Sequence, residues 1–165
     1  MARAVPDIDY ELDLLRIRKD YVSASSSQRL HIIRLRLEDH HFGPNRLVTV
    51  VSAVEALARC LVVGREAKLK ADRAKIYPKY RRCLPQTLVC TYLESRGISD
   101  LDAFFDEDNW RLFVYAVEYR NLLAHECTYL GQDKFPSLIA ACEAVLEKLV
   151  QIGRVPESKR RNAAA

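Results

Sequence analysis

Arg120, Asn121 and His125 fall within one short segment, Tyr119-Arg120-Asn121-Leu122-Leu123-Ala124-His125-Glu126, near the end of an apolar run with helical spacing. An imidazole moves a proton near neutral pH, a guanidinium neutralises the charge on a pentacoordinate phosphate, and a carboxamide orients either group. Together the three suffice, without a metal, to break an RNA backbone. At about 100° per residue, Asn121 and His125 project from one helix face with Glu118 in the same column, so they can cooperate directly. Arg120 lies about 140° around the helix from His125. A straight helix in one chain therefore does not aim both at one spot. Either the helix loosens near His125, or a second copy supplies the missing groups, as in a two-fold dimer whose paired helices gather two arginines and two histidines around one cleft.

The elements that must hold these groups are read from hydropathy and punctuation. At 165 residues the chain fits one domain, long enough to bury a core without a disulfide or a structural metal. Five glycines and six prolines leave little turn chemistry for a many-stranded sheet and favour long helices. Apolar residues recur at helical spacing from Ile8 to Tyr21 and from Arg29 to Asp39. The Ser23 to Ser27 cluster between them is either a break or the cap of the next helix, and the two runs together could form one bent helix. Gly43-Pro44 is read as closing the second run. Asn45 to Val63 is rich in valine but too long for one strand, and is read as a buried helix carrying Glu55, a carboxylate that needs a partner there.

The stretch through Tyr77-Pro78 predicts a helical extension followed by a loop. Pro85 opens a helix reaching Arg96, with Gly97 as its stop. Ser99 to Asp108 is an acidic connection in which Asp106 and Asp108 are natural caps. Asn109 to about Leu130 is the central helix, ended by Gly131, and Pro136 opens a last helix to about Ile152. The expectation is an all-α, five- to six-helix bundle, mostly antiparallel: one domain over residues 1–153 and a basic, disordered tail over 154–165.

Charge and cysteine usage narrow the classes further. The formal charge is +4, unevenly spread. Arg65, Lys68, Lys70, Arg73, Lys75, Lys79, Arg81 and Arg82 face only Glu66 and Asp72 within one segment, whereas Glu94 to Asp108 is acidic. Such runs commonly form a solvated surface; the basic one could instead meet phosphates, with Lys79, Arg81, Arg82 and the aromatic Tyr129 as RNA-binding candidates. Cys60, Cys83, Cys90, Cys127 and Cys142 are odd in number and widely spaced, which predicts reduced, mostly core thiols and no metal site. No uninterrupted apolar run approaches the roughly 20 residues of a bilayer span, and the N-terminus turns acidic, so a cytoplasmic location without a membrane partner is expected. His40 and His41 are read as a solvated helix end, and His31 as a surface or boundary residue.

The segment Glu118-Tyr119-Arg120-Asn121-Leu122-Leu123-Ala124-His125 resembles the R-N-x-x-x-H signature of the HEPN superfamily, small all-α domains many of which are metal-independent endoribonucleases. Ser52-Ala53-Val54-Glu55-Ala56-Leu57 is similar to the HEPN helix that carries an acidic residue. The resemblance covers about a fifth of the chain plus the general architecture. It implies a HEPN-like bundle in which His125 is base or acid at a ribose 2′-OH, Arg120 stabilises the phosphorane and Asn121 orients the histidine or the phosphate. It further implies transesterification to a 2′,3′-cyclic phosphate at a homodimeric site, with no cofactor, in a toxin–antitoxin or defence setting where a cognate antitoxin or other regulatory protein can hold the activity off.

A bland account of the same residues stands beside this one. Arg120 shares an arc with Phe113, Ala116, Leu123 and Ala124 and could be a semi-buried arginine paired with Glu55, while His125 could serve the helix end. The chain would then be a non-catalytic helical module that binds a nucleotide or a protein through the same helix.

Overall fold

A computed structural model describes residues 10–38, 44–126 and 132–156. Among the described residues there are eight α-helices and no strand: α1 Tyr10–Ser23, α2 Ser26–Leu37, α3 Pro44–Glu66, α4 Arg73–Tyr80, α5 Pro85–Ser95, α6 Leu101–Phe105, α7 Glu107–His125 and α8 Phe135–Gly153, with short 3-10 turns at Lys70–Asp72 and Gln132–Lys134. The all-α class is as expected, but the helices outnumber the five or six foreseen. The gap lies in short pieces that periodicity does not reveal.

α3 is the axis of the core. Leu47, Val50, Val51, Ala53, Val54, Leu57, Ala58, Leu61, Val62 and Val63 are buried, and the helix packs against α2, α4, α5, α7 and α8. By length and hydropathy α3 is long and apolar enough to cross a bilayer; here those side chains fill the centre of the bundle. Leu57 and Leu88 are fully enclosed, so truncating either to alanine costs about 2–5 kcal/mol. At the opposite edge Phe105 stacks on Trp110, with ring centroids 5.3 Å apart, and Trp110 leans on Phe113 at 5.5 Å. This aromatic row seats the start of α7.

Local chemistry explains most boundaries. α1 and α2 are two helices rather than one bent one, because Ser25 is extended and caps α2: its hydroxyl accepts from the Gln28 N–H at 3.2 Å while the Gln28 side chain accepts from the Ser25 N–H at 2.8 Å, a reciprocal capping box. Pro44 opens α3 instead of closing α2, since a first-turn position has no N–H to lose. The basic segment does not extend α3, which ends at Glu66; Leu69 turns extended and a separate α4 follows.

α5 ends as expected at Gly97, whose φ of +80° lets Ile98 N–H reach the Leu93 carbonyl at 3.0 Å and its own N–H reach that of Glu94 at 2.9 Å, a Schellman motif. The acidic connection folds into α6, capped by Asp100 through a 3.0 Å bond from Ala103 N–H. Asp106 occupies the N-cap position of α7 at φ +67° with no side-chain bond, and Asp108 pairs with Arg111 at 2.9 Å.

Helix α8 closes with the same motif in an unusual residue. Arg154 is left-handed, and Val155 N–H reaches the Val150 carbonyl at 3.1 Å. Gly153, one position earlier, answers a different need: a Cβ there would come within 3.0 Å of Leu61 Cδ2 and 3.1 Å of Val155 Cγ2. Val155 is buried and the Ser27 hydroxyl donates to the Pro156 carbonyl at 3.0 Å. The packed chain thus runs past Gly153 to Pro156.

Of the described cysteines only Cys142 is buried; Cys60, Cys83 and Cys90 are half-buried, and all four are free thiols. This corrects the mostly-core expectation. His31 is exposed. Cys127, Tyr129, Gly131, His40, His41 and the tail beyond Pro156 lie outside the described residues.

Candidate active site on α7

Helix α7 is amphipathic in a way that separates its chemistry. Phe113, Ala116 and Val117 are buried, and Arg120 continues that inward arc toward α3. There its Nη1 donates to Glu55 Oε2 at 3.2 Å, with side-chain exposures of only 19% and 21%. The other carboxylate oxygen, Oε1, accepts from Arg59 Nη2 at 2.5 Å, and Arg59 Nε donates to the Tyr80 carbonyl at 3.2 Å. One carboxylate therefore serves two guanidiniums, each oxygen taking one. Glu55 has the partner its apolar surroundings demand, and the arrangement retains a net positive charge at the α3–α7 seam.

Arg120 is only partly spent by this pairing. Its Nε is shielded from solvent and has no hydrogen-bond partner among the described residues. A buried N–H without an acceptor costs about 1–3 kcal/mol, so a donor remains at the seam for an oxygen that would fit beside it.

His125 has the opposite surroundings. It is exposed, as is Glu118, while Asn121 is half-buried, and none of the three makes a hydrogen bond or ion pair to another described residue. Arg111, Tyr115, Glu118, Leu122 and His125 follow one another at alternating steps of four and three, all exposed, which draws a straight stripe along the solvent face of α7. Tyr115 and Leu122 are 48% and 53% exposed, apolar area left open on the stripe that carries the imidazole.

The geometry speaks to one of the two ways of uniting Arg120 with His125, a loosened helix. α7 is a continuous α-helix to His125, and Glu126 N–H still reaches the Leu122 carbonyl at 2.9 Å, so the helix does not loosen there. Within one chain Asn121, Glu118 and His125 share a column, and Arg120 points away from it. On this straight helix the two side chains leave the axis about 140° apart.

The basic segment is dispersed. Lys79 is paired with Glu66 at 3.0 Å, and the Tyr80 hydroxyl donates to the same carboxylate. Those bonds, Tyr80's first and Lys79's second, hold the Glu66 carboxyl below its usual range. The hydrogen bond to Glu66 raises the Lys79 ammonium and the Tyr80 phenol in turn. Arg65 donates to the Ser95 carbonyl at 2.9 Å. Arg81 and Arg82 are exposed at the end of α4, next to the Tyr80 carbonyl that Arg59 holds. Lys79 is thus engaged, and these two are the members of the RNA-binding set left to meet a phosphate; Tyr129 lies outside the described residues. Among the described residues no three His, Cys, Asp or Glu side chains gather to hold a metal ion.

Sequence reasoning anticipated Arg120 with Glu55 but missed Arg59. The signal was present: Arg59 is four residues from Glu55 on one helix, the spacing at which opposite charges meet. No family model, no curated protein and no solved structure matches this chain. The likeness to HEPN domains rests on the residues of α3 and α7.

Proposed function

We propose that the protein is a metal-independent endoribonuclease of HEPN type, acting by 2′-OH transesterification at a site assembled from two copies along α7. The observation that carries this reading is the placement of His125. A ring without a partner among the described residues stands on a partly apolar solvent stripe, one turn from Asn121, on the helix whose other side carries a guanidinium with an unused N–H. A second copy seated on Tyr115 and Leu122 would cover the open apolar area and bring a second Asn121 and His125 to the cleft. In that cleft His125 moves the 2′-OH proton and Asn121 orients the histidine or the phosphate; for Arg120 to meet the phosphorane charge, its guanidinium has to swing from Glu55 toward the helix edge when RNA binds. Arg81 and Arg82 add phosphate attraction that weakens with salt.

The test is incubation of the purified chain with RNA in excess chelator. Cleavage leaving 2′,3′-cyclic phosphate ends and abolished in His125→Ala is expected; cleavage that needs added metal, or an indifferent His125→Ala, overturns the reading. A toxin–antitoxin setting adds the expectation that the isolated chain is toxic when expressed, relieved by His125→Ala.

A second reading is favoured by the double hydrogen bonding of Glu55, which gives Arg120 a complete packing role with no substrate. On it the chain is a non-catalytic helical module that binds a nucleotide or a protein through α7. Arg120→Ala would then lower stability or association with no cleavage to lose.

A further inference from the structure

Arg59 also lines a cavity of about 330 Å³ bounded by α1, α2, α3 and α4 and by Ala24 between the first two. Its wall carries three guanidiniums, Arg29, Arg59 and Arg73, together with Tyr21, Tyr77 and Cys60. Arg29 donates to the Tyr21 carbonyl and lies over the Tyr21 ring, 5.4 Å from its centroid. Arg73 Nη1 donates to the Ala24 carbonyl at 3.4 Å. Neither has a carboxylate partner among the described residues, and each spends one nitrogen of a five-donor fork. The third, Arg59, pairs among the described residues with Glu55, which it shares with Arg120.

Among the described residues lining the cavity none is acidic. The Cys60 thiol is pushed up by burial, so it stays neutral. The Tyr77 phenol is pushed up by burial and by its hydrogen bond with Tyr21, whose hydroxyl is 3.4 Å away. Tyr21 and Tyr77 meet edge to face at 5.8 Å between centroids and offer ring surface next to the cations. Three guanidiniums in a partly enclosed space repel one another more strongly than in open water. An anion with several oxygens relieves that repulsion and fills the remaining donor positions. The volume lies at the lower end of the roughly 300–1,000 Å³ typical of small-molecule sites, which suits a small ligand and not a length of polynucleotide.

We infer that the cavity between α1, α2, α3 and α4 binds a phosphoryl group, either free or as a small phosphate monoester, held by Arg29, Arg59 and Arg73 beside the Tyr21 and Tyr77 rings. The site is separate from His125 and does not depend on RNA cleavage. A phosphate monoester presents oxygens to all three forks and lays its organic part on the tyrosines.

The test is calorimetric titration of the full chain, in a buffer free of phosphate and sulfate, with inorganic phosphate, adenosine 5′-monophosphate and adenosine. Phosphate and the monophosphate are expected to bind and adenosine not to. Tighter binding of the monophosphate assigns the site to an ester, and tighter binding of phosphate assigns it to the free ion. Arg73→Gln is expected to weaken binding by roughly tenfold or more, the worth of one charge-assisted hydrogen bond, and Arg29→Gln likewise. Lys68→Gln, at an exposed lysine outside the cavity, should leave binding unchanged. Should Arg29→Gln fail to fold because the end of α1 loses its tie, Arg73→Gln decides alone. Three results overturn the inference: no binding of either phosphate, binding that survives Arg73→Gln, or adenosine binding as tightly as its monophosphate. If the arginines serve only as braces for the α1–α2 joint, Arg73→Gln lowers the melting temperature while the wild-type chain ignores both phosphates, which is the first of these.

Discussion

Arg120 and His125 are five residues apart on α7 and live under different rules. Arg120 is four-fifths enclosed and tied to a carboxylate that a second arginine also holds, whereas His125 is exposed and makes no bond to any described residue. The first has a role in the folded chain whether or not a substrate exists. The second has none among the described residues. A side chain so placed, on a face that also leaves Tyr115 and Leu122 open, can be used by something outside the chain, and substitutions on the two faces should therefore fail in different ways.

The largest separation is expected at His125. Loss of a general acid or base commonly costs about 10²- to 10⁴-fold in rate, while an exposed side chain away from packing changes stability by no more than about 0.5 kcal/mol. His125→Ala should thus abolish RNA cleavage in a gel or fluorogenic assay and melt with the wild type. A drop in melting temperature as large as that of a core variant would mean that the two faces do not differ.

On the inward face the effect moves to stability, with an internal asymmetry. Glu55→Ala leaves two semi-buried guanidiniums without a counter-charge and should cost about 2–4 kcal/mol, a little under the value for a fully buried pair because a fifth of each side chain meets water. Arg120→Ala leaves Glu55 still bonded to Arg59, so roughly 1–2 kcal/mol is expected. Urea denaturation of both variants checks the order; Arg120→Ala as damaging as Glu55→Ala would show that Arg59 does not take over the carboxylate.

The outward stripe can be broken without touching the core. Leu122→Glu puts a charge where a second copy's apolar stripe would sit, and it should turn a dimer into a monomer by analytical ultracentrifugation with the melting curve of the monomer little altered. If cleavage needs groups from both copies, activity falls with the dimer. A monomeric, fully active Leu122→Glu would confine the chemistry to one chain, where Arg120 and His125 do not meet.

How much of this was legible depended on how far apart the partners lie in the chain. α3 and α8 are long periodic runs, and α5 is bracketed by Pro85 and Gly97, so their existence and limits followed from spacing and punctuation. α4 and α6 have eight and five residues, too few for a period to declare itself, and both sit inside charge runs that read as surface. The Glu55–Arg120 pair could be foreseen because each is a charge on an otherwise apolar arc and each needs the other. The cavity of Arg29, Arg59 and Arg73 could not, since its members come from three helices and no local pattern marks any of them as inward. Gly153 ends α8, but the buried Val155 and the Ser27–Pro156 bond beyond it carry no local pattern that marks them as packed.

The smallest effect concerns α8, the helix packed against α7. Burial pushes the Cys142 thiol up to about 12 from 9.0, so in the folded chain it remains protonated through pH values at which the unfolded chain has lost the proton. A raised folded value contributes stability fully present below the unfolded one and lost progressively as pH rises from about 9 toward about 12. At pH 10 the loss is on the order of 1 kcal/mol, one unit of pH beyond the unfolded value. Cys142→Ala should remove that part of the alkaline fall in urea-derived stability, and thiol reagents at pH 8 should reach half-buried Cys83 and Cys90 well before Cys142. Equal labelling of all three would mean that the core face of α8, against which α7 packs, opens as readily as the half-buried thiols at and before α5, and the inward side of α7 would not be the closed one.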